Sequence, residues 1–386
     1  MINVVIKCGF VFLYATILLS CSISKQTAID RKSKYVDQKI ADSLHAEIHR
    51  FGIEATKNNK VPGVAIALIQ NGKVAWIQCI GLADVESKKP VTSQTIFNVG
   101  SISKMVSAWG IMQLTERGFI ALDDPVGKSL VRWKLPASEY DATKVTLRRI
   151  LSHTAGLSVH GYGGSAQGTQ LLSLEESLLG KTKRNGEGVY VKSNPGTKWE
   201  YSGGGYTLAQ LLLEEKTNEK FADYMKKNVF KPLGMKHSSY DWTEEMMINS
   251  ATAYDTLGKP IKNRIFTEQA AAGLQTTVLD LAHFAELSLI PDPNRLHKVL
   301  RPETIQLMEQ AVLPFSDQGK SGLGYRFMNY EGLETLGHTG ENEGWSAAMF
   351  MHLATKSGIV ILCNGSNGDR VWFPIYQSWA KSIKAN

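Results

Sequence analysis

The sequence predicts an α/β (α+β) protein: an antiparallel sheet flanked by helices, with an all-α lobe inserted in the middle of the chain. Three observations carry this. Strand-like apolar runs sit at 63–80 and again at 324–363. The stretch from about 123 to 231 reads as helices and loops with few strand signals. The 386 residues are 43% hydrophobic and 20% charged, enough apolar material for one large core or two lobes. Strands supplied by both ends around a helical middle place the sheet lobe at about 35–122 and 266–386, and the helical lobe at about 123–265.

Taken in order, Val36 to Lys57 reads as an amphipathic helix and Gly63 to Ile69 as a strand. Asn71-Gly72 is a type I′ turn signal, and Val74 to Ile80 returns as the partner strand. Pro90 to Asn98 leads into a helix from about 101, closed by Leu122-Asp123-Asp124-Pro125. Helical patterns follow at Thr146 to Ser152, Leu171 to Leu179, Tyr206 to Glu215, Glu219 to Val229 and Gly273 to Leu289. Gly324 to Met328, Trp345 to His352 and Ile359 to Cys363 are strands, and a helix over about Arg370 to Ile383 closes the chain. The Gly-rich run Gly161 to Gly168 follows no strand of a βαβ unit, so a phosphate cradle is not expected.

The first residues are a separate object. Lys7 precedes twelve uncharged residues, Cys8 to Leu19, a length suited to a secretory signal and short for a membrane span. Leu18-Leu19-Ser20-Cys21 resembles a bacterial lipoprotein signal, which implies removal of 1–20, lipidation of Cys21 and a polar tether over 21–34 before a folded domain at 35–386. The expectation is an exported, cell-envelope protein held to a membrane through Cys21. Plain secretion and an uncleaved anchor are the alternatives.

The formal net charge is +7, but Lys and Arg come in ones and twos with no basic stripe interleaved with aromatics, so no nucleic-acid partner is expected. Cys79 and Cys363 lie in strand-like runs without C-x-x-C spacing; buried free thiols are the default and a single disulfide stays open. His45 and His49 stand at i, i+4, but no third ligand lies nearby, so a solvated helix face is preferred to zinc. No metal or organic cofactor is expected, and the sequence is silent on oligomeric state.

The chemistry centres on Gly100-Ser101-Ile102-Ser103-Lys104. From Ile96 to Thr115 the only formal charge is Lys104, in a helix apolar on both sides. A lone lysine there is costly without a partner or a task. Ser101 lies one turn before it on the same face, at the positive end of the helix. A hydroxyl beside a desolvated ammonium is the arrangement that activates a serine nucleophile; a plain N-cap is the alternative for Ser101. Tyr201-Ser202-Gly203 follows a Pro195-Gly196 turn, and a phenol brought beside that ammonium can act as a general base, since the cation favours phenolate. A buried tyrosine with a hydrogen-bonded hydroxyl is the alternative. The third element, His338-Thr339-Gly340, precedes a strand; small residues at a sheet edge can turn backbone N–H groups toward an acyl oxygen, whereas His338 alone would be a half-buried strand histidine.

Together, Ser101-x-x-Lys104, Tyr201-Ser-Gly203 and His338-Thr-Gly340, with Leu151-Ser-His153-Thr-Ala-Gly156 and Pro195-Gly-Thr-Lys-Trp-Glu-Tyr201, resemble the ordered motifs of the class C β-lactamase and penicillin-binding-protein-like serine hydrolases, S-x-x-K, Y-x-N and K/H-T-G. The resemblance runs from about Val61 to Cys363. It implies a β-lactamase/transpeptidase-like fold and a small-molecule or peptide substrate. It implies Ser101 as the acylated nucleophile, Lys104 as the group that holds it and shuttles its proton, and Tyr201 as the base. It also implies an oxyanion hole from the N–H groups of Ser101 and Glu341, and substrate contacts at Gly203, His338, Thr339 and Gly340. Two departures stand out. Gly203 replaces the amide side chain of Y-x-N, and His338, mostly neutral near pH ~7, replaces a permanent cation. Both point away from dedicated penicillin recognition and toward carboxylesterase, D-amino-acid peptidase or weak β-lactamase-like activity. The rival expectation is a low-turnover envelope binding protein that keeps the fold. An α/β-hydrolase is set aside because the chain has no G-x-S-x-G elbow.

Overall fold

Valine, isoleucine, leucine and alanine run through Gly63–Gln70 (β1), and every residue from Gly63 to Ile69 is buried. Successive side chains of a strand point to opposite faces, so burial of all of them requires cover on both sides of the sheet. The computed structural model describes residues 42–182, 186–296, 298–316 and 319–385. The leader, the tether and Cys21 lie outside the described residues.

After a helix over 42–59 (α1), the chain forms β1 and Lys73–Asp84 (β2). Asn71 and Gly72 between them have φ of 50° and 69°, the paired positive values of a type I′ turn. Lys89–Pro90 (β3) and six late strands complete one sheet: Val312–Ser316 (β4), Gly319–Ser321 (β5), Arg326–Tyr330 (β6), Leu333–Asn342 (β7), Trp345–His352 (β8) and Ser357–Cys363 (β9). The strand order is β4-β5-β6-β7-β8-β9-β1-β2-β3, antiparallel throughout. The sheet closes by pairing an early hairpin with a late meander, as strands from both chain ends require. Each flank of β1 carries one cysteine: Cys79 of β2 sits opposite Ala65 and Cys363 of β9 opposite Val64. Two strand spacings, roughly 9.5 Å, exceed the ~7 Å reach of a disulfide. The open disulfide alternative is thereby closed: both thiols are free, and burial pushes the Cys79 thiol up to about 11.

Val278–Leu289 (α4) packs on β1, β2 and β9, with Leu281 and Ala285 in one apolar cluster with Ala65 and Ala67. Asp369–Lys384 (α5) packs on β8 and β9, its Tyr376 ring 4.7 Å from Phe350. The helical middle contains Gly203–Thr217 (α3) and several one-turn helices, including Leu147–Leu151 and Leu174–Leu178. It also holds two-residue strand pairs that periodicity does not register, such as Ser165–Ala166 with Arg264–Ile265. Part of the expected helix over Gly273 to Leu289 is extended: Gln275–Thr277 pairs with Ile96–Asn98, and Thr277 then caps α4. The β-branched Thr276-Thr277 pair suits a strand, and the cap hydroxyl starts the helix after it.

Ile102–Glu116 (α2) is buried at every residue from Ile102 to Leu114. Its Trp109 Nε1–H donates to the Tyr325 hydroxyl at 2.9 Å, and its ring lies 4.7 Å from Phe284 of α4. Ser288 of α4 joins that hydroxyl, at 3.0 Å, to the Glu309 carboxylate, at 2.9 Å. Burial pushes the Glu309 carboxyl up to about 7 from 4.5. A value raised in the folded state stabilises fully below the ordinary carboxyl value, and that share is lost as pH rises through about 7. Glu309→Gln keeps an acceptor for Ser288 and removes the titration. Urea denaturation at pH ~5 and ~8.5 should show the wild type losing up to about 3 kcal/mol more than the variant on going alkaline; equal losses would contradict this.

Candidate active site

The segment Ile96–Asn98 delivers the chain to the site. Asn98 Oδ1 accepts the Gly100 N–H at 3.0 Å, and Gly100 turns with φ of +49°. A Cβ on Gly100 would lie 2.5 Å from the Glu341 backbone nitrogen, so glycine is required for the turn and for the contact. Ser101 then enters α2 with helical backbone, and its hydroxyl does not cap the helix. The N-cap alternative is therefore set aside. Lys104 Nζ donates instead to Ser101 Oγ at 3.0 Å and to the Ala271 carbonyl at 2.7 Å. Lys104 is 1% exposed, and among the described residues it has no carboxylate partner. Its Nζ lies 4.9 Å from the Tyr201 ring centroid and 5.8 Å from that of Tyr206. Aromatic faces are a compensation for a desolvated cation.

Tyr201 precedes α3, which Ser202 caps by accepting the Gly205 N–H at 3.0 Å. Its ring is crowded by His153 at 4.3 Å, His160 at 4.8 Å and His338 at 6.0 Å. Ser101, Lys104, Tyr201, His338, Thr339 and Glu341 all line one cleft of about 540 Å³. The three distant motifs are thus brought together around one space. Gly203 and Gly340 are not on its wall. Gly203 is buried at the start of α3, where an added Cβ would lie 3.0 Å from the His160 carbonyl. The loop at 160–162 fills the space into which a side chain at 203 would grow, so the implied substrate contact at Gly203 is not seen.

The third motif lies on β7, which pairs with β6 only as far as Gly337, opposite Arg326, while its pairing with β8 continues to Asn342. Residues 338–342 therefore present an open backbone edge, and that edge meets the turn at 99–101. A Cβ on Gly340 would lie 1.9 Å from the Val99 carbonyl oxygen and 2.9 Å from the Ser101 nitrogen. The Ser101 N–H stands outside the ladder of α2, so the Ser101 and Glu341 amides belong to two backbone segments in direct contact. His338 is 1% exposed, more buried than a half-buried strand histidine. Its Nδ1–H donates to the Thr339 carbonyl, and among the described residues its buried Nε2 has no hydrogen-bond partner. Burial, with the charges of Arg326 and Lys104, holds it well below the ordinary histidine range.

Sequence reasoning left several wall residues without a role. Arg326 lines the cleft with its guanidinium 5.3 Å from the Trp199 ring centroid and 5.8 Å from that of Tyr201. It supplies a permanent cation one strand away from the position where His338 lacks one. Its register opposite Gly337 was the missing signal, and pairing register is not readable from the Gly324 to Met328 run itself. The loop from His160 was expected among the pocket walls, and His160 lines the cleft; Asn342 and Ala271 were missed, because their places there depend on which distant segments meet.

Residues 36–375 match the β-lactamase family. The chain belongs to that family. Its relatives are β-lactamase and penicillin-binding-protein-like serine hydrolases, and the antiparallel sheet with flanking helices is their fold. It is 23% identical over 332 residues to Protein flp of Staphylococcus aureus strain N315, covering 84% of this chain but only 64% of that relative. It is 29% identical over 167 residues to penicillin-binding protein 4* of Bacillus subtilis, over 43% of this chain and 35% of that one. Among solved structures, it resembles an octameric penicillin-binding protein homologue from Pyrococcus abyssi, with TM-score 0.73, 27% identity, and coverage of 88% of this chain and 77% of that one. It shares its fold with D-alanine carboxypeptidase AmpC from Burkholderia cenocepacia, with TM-score 0.70, 23% identity, and coverage of 88% and 99%.

The contact at Gly340 leads to a direct test. Gly340→Ala should lower stability by about 1–3 kcal/mol through overpacking against Val99. By moving β7 off the Ser101 turn, it should also cut about a hundredfold any ester turnover that the site supports. Thermal denaturation and an initial-rate assay check both, and turnover within twofold of wild type would show that the contact is dispensable.

Proposed function

We propose that this chain hydrolyses an ester or amide through an acyl-enzyme on Ser101. The observation that carries this reading is the hydroxyl of Ser101, which leaves its helix uncapped and pairs with the buried Lys104 ammonium at 3.0 Å, beside the Tyr201 ring. In this reading Ser101 Oγ attacks the carbonyl carbon and gives up its proton through Lys104 and Tyr201. The oxyanion draws on the Ser101 and Glu341 amides, each such donor worth about 3 kcal/mol of barrier. Collapse breaks the bond to the alcohol or amine, which leaves with a proton. Water activated by Tyr201 then releases the acid and restores Ser101.

Carboxylesterase, D-amino-acid peptidase and weak β-lactamase-like activities all use this sequence of steps. Arg326 favours, within that range, a substrate carrying a carboxylate near the scissile bond, since a guanidinium stacked on Trp199 is held for a bidentate partner. A low-turnover envelope binding protein is the second reading. Export and lipidation at Cys21 complete the proposal.

A fluorophosphonate probe should label Ser101, and p-nitrophenyl ester turnover should vanish in Ser101→Ala and fall more than tenfold in Lys104→Ala, as expected for lost general acid–base help. An unlabelled wild type would favour the binding protein. For Arg326→Met, the KM for a D-amino-acid peptide with a free carboxylate should rise about tenfold, the worth of one charge-assisted hydrogen bond, while the KM for a neutral ester stays put. Equal changes for both substrates would remove Arg326 from recognition.

A further inference from the structure

We propose that His153 is the positioning residue for Tyr201, clamping three consecutive residues so that the phenol is held at Lys104. The inference rests on the reading of Tyr201 as the base of the proposed hydrolase.

Three contacts from this one residue make the clamp. The His153 carbonyl accepts the Glu200 N–H at 2.7 Å. Its Nδ1 accepts the Ser202 N–H at 3.1 Å. Its ring lies on the ring of Tyr201 between them, centroids 4.3 Å apart and planes tilted by 32°. Tyr201 is thereby held by its backbone on both sides and by one ring face. Further bonds lock the two loops together: the Gly196 N–H donates to the Thr154 carbonyl at 2.7 Å, and the Lys192 N–H to the Gly156 carbonyl at 2.8 Å.

The clamp needs an unfavourable backbone. His153 has φ of +60°, a left-handed conformation that costs a non-glycine residue about 1–2 kcal/mol. Strain of this kind persists where surrounding contacts over-determine it, and it gathers at functional sites.

The side chain must meet three conditions. It must accept a hydrogen bond from a backbone N–H, lie flat against a phenol, and carry no charge beside a buried ammonium. Phenylalanine fails the first, asparagine the second and a basic chain the third. A neutral imidazole meets all three, and the bond from Ser202 fixes its proton on Nε2. Protonating Nδ1 would abolish the acceptor. The ionisable groups facing the ring are Lys104, Arg326, His160, His338, Tyr201 and Tyr206. The first four are cations or become cations, and with burial they keep His153 far below the ordinary histidine range.

His153→Gly and His153→Asn test this in the full chain, since both residues accept a left-handed backbone. Glycine removes the acceptor and the ring. Asparagine restores an amide oxygen close to the position of Nδ1. Fluorophosphonate labelling and ester turnover of the wild type come first; if they fail, the hydrolase reading falls, whatever His153 does. With an active wild type, His153→Gly should lose about a hundredfold in kcat, as for a reacting group displaced by about 1 Å, with KM within threefold. His153→Asn should recover at least tenfold of that loss. A glycine variant within threefold of wild-type kcat overturns the proposal. So does a loss shared equally by kcat and KM that asparagine does not recover. Should the glycine variant fail to fold, the asparagine variant alone decides: at least a tenth of wild-type kcat supports the clamp, and less overturns it.

Discussion

A buried ammonium with no carboxylate partner among the described residues governs this site. Taking a cation out of water costs several kcal/mol even after relaxation, and Lys104 is 1% exposed inside an apolar helix. What offsets that cost is short and specific: one carbonyl, one hydroxyl and two aromatic faces. An aspartate would neutralise the charge more cheaply. It would also take the place of Ser101 as the favoured acceptor. Leaving the cation under-compensated keeps it on the Ser101 hydroxyl and beside the Tyr201 ring.

The neighbouring groups respond to that charge. His153 and His338 are both kept neutral, by burial first and by nearby cations after it. Their hydrogen bonds select opposite tautomers. Nδ1 accepts in His153, whereas in His338 it donates to a carbonyl and leaves Nε2 bare. Arg326 sits half-buried over the Trp199 ring. The cleft therefore combines the Arg326 cation on its wall with one buried ammonium, Lys104, set among neutral imidazoles. Negative charge in such a space is favoured by both cations.

Backbone contact matters as much as side chains. The open edge of β7 touches the nucleophile turn through two glycines, Gly100 and Gly340, each with no room for a methyl group. β7 belongs to the sheet whose central strands β1, β8 and β9 are buried along almost their whole length and packed by α4 and α5. With Glu341 fixed to that sheet, and Ser101 to a helix tied to α4 through Trp109 and Tyr325, packing rather than loop stiffness sets the separation of their amides.

By itself the sequence marked most of the long elements and the motifs that resemble the family's. A single charge in the twenty residues from Ile96 to Thr115 marks Lys104, and the 3.6-residue period marks its helix. The Asn71-Gly72 turn and the late strands are equally local, because propensity and period are carried by neighbours in the chain. Only the tertiary structure decided what depends on register and on distant loops meeting. It separated Cys79 from Cys363 by a strand, moved Gly203 behind the loop at 160–162, and brought Arg326 to the cleft. It also turned His153 from a residue flanking a motif into one that grips Tyr201. Those outcomes follow from close packing between segments far apart in the chain, which no local pattern encodes.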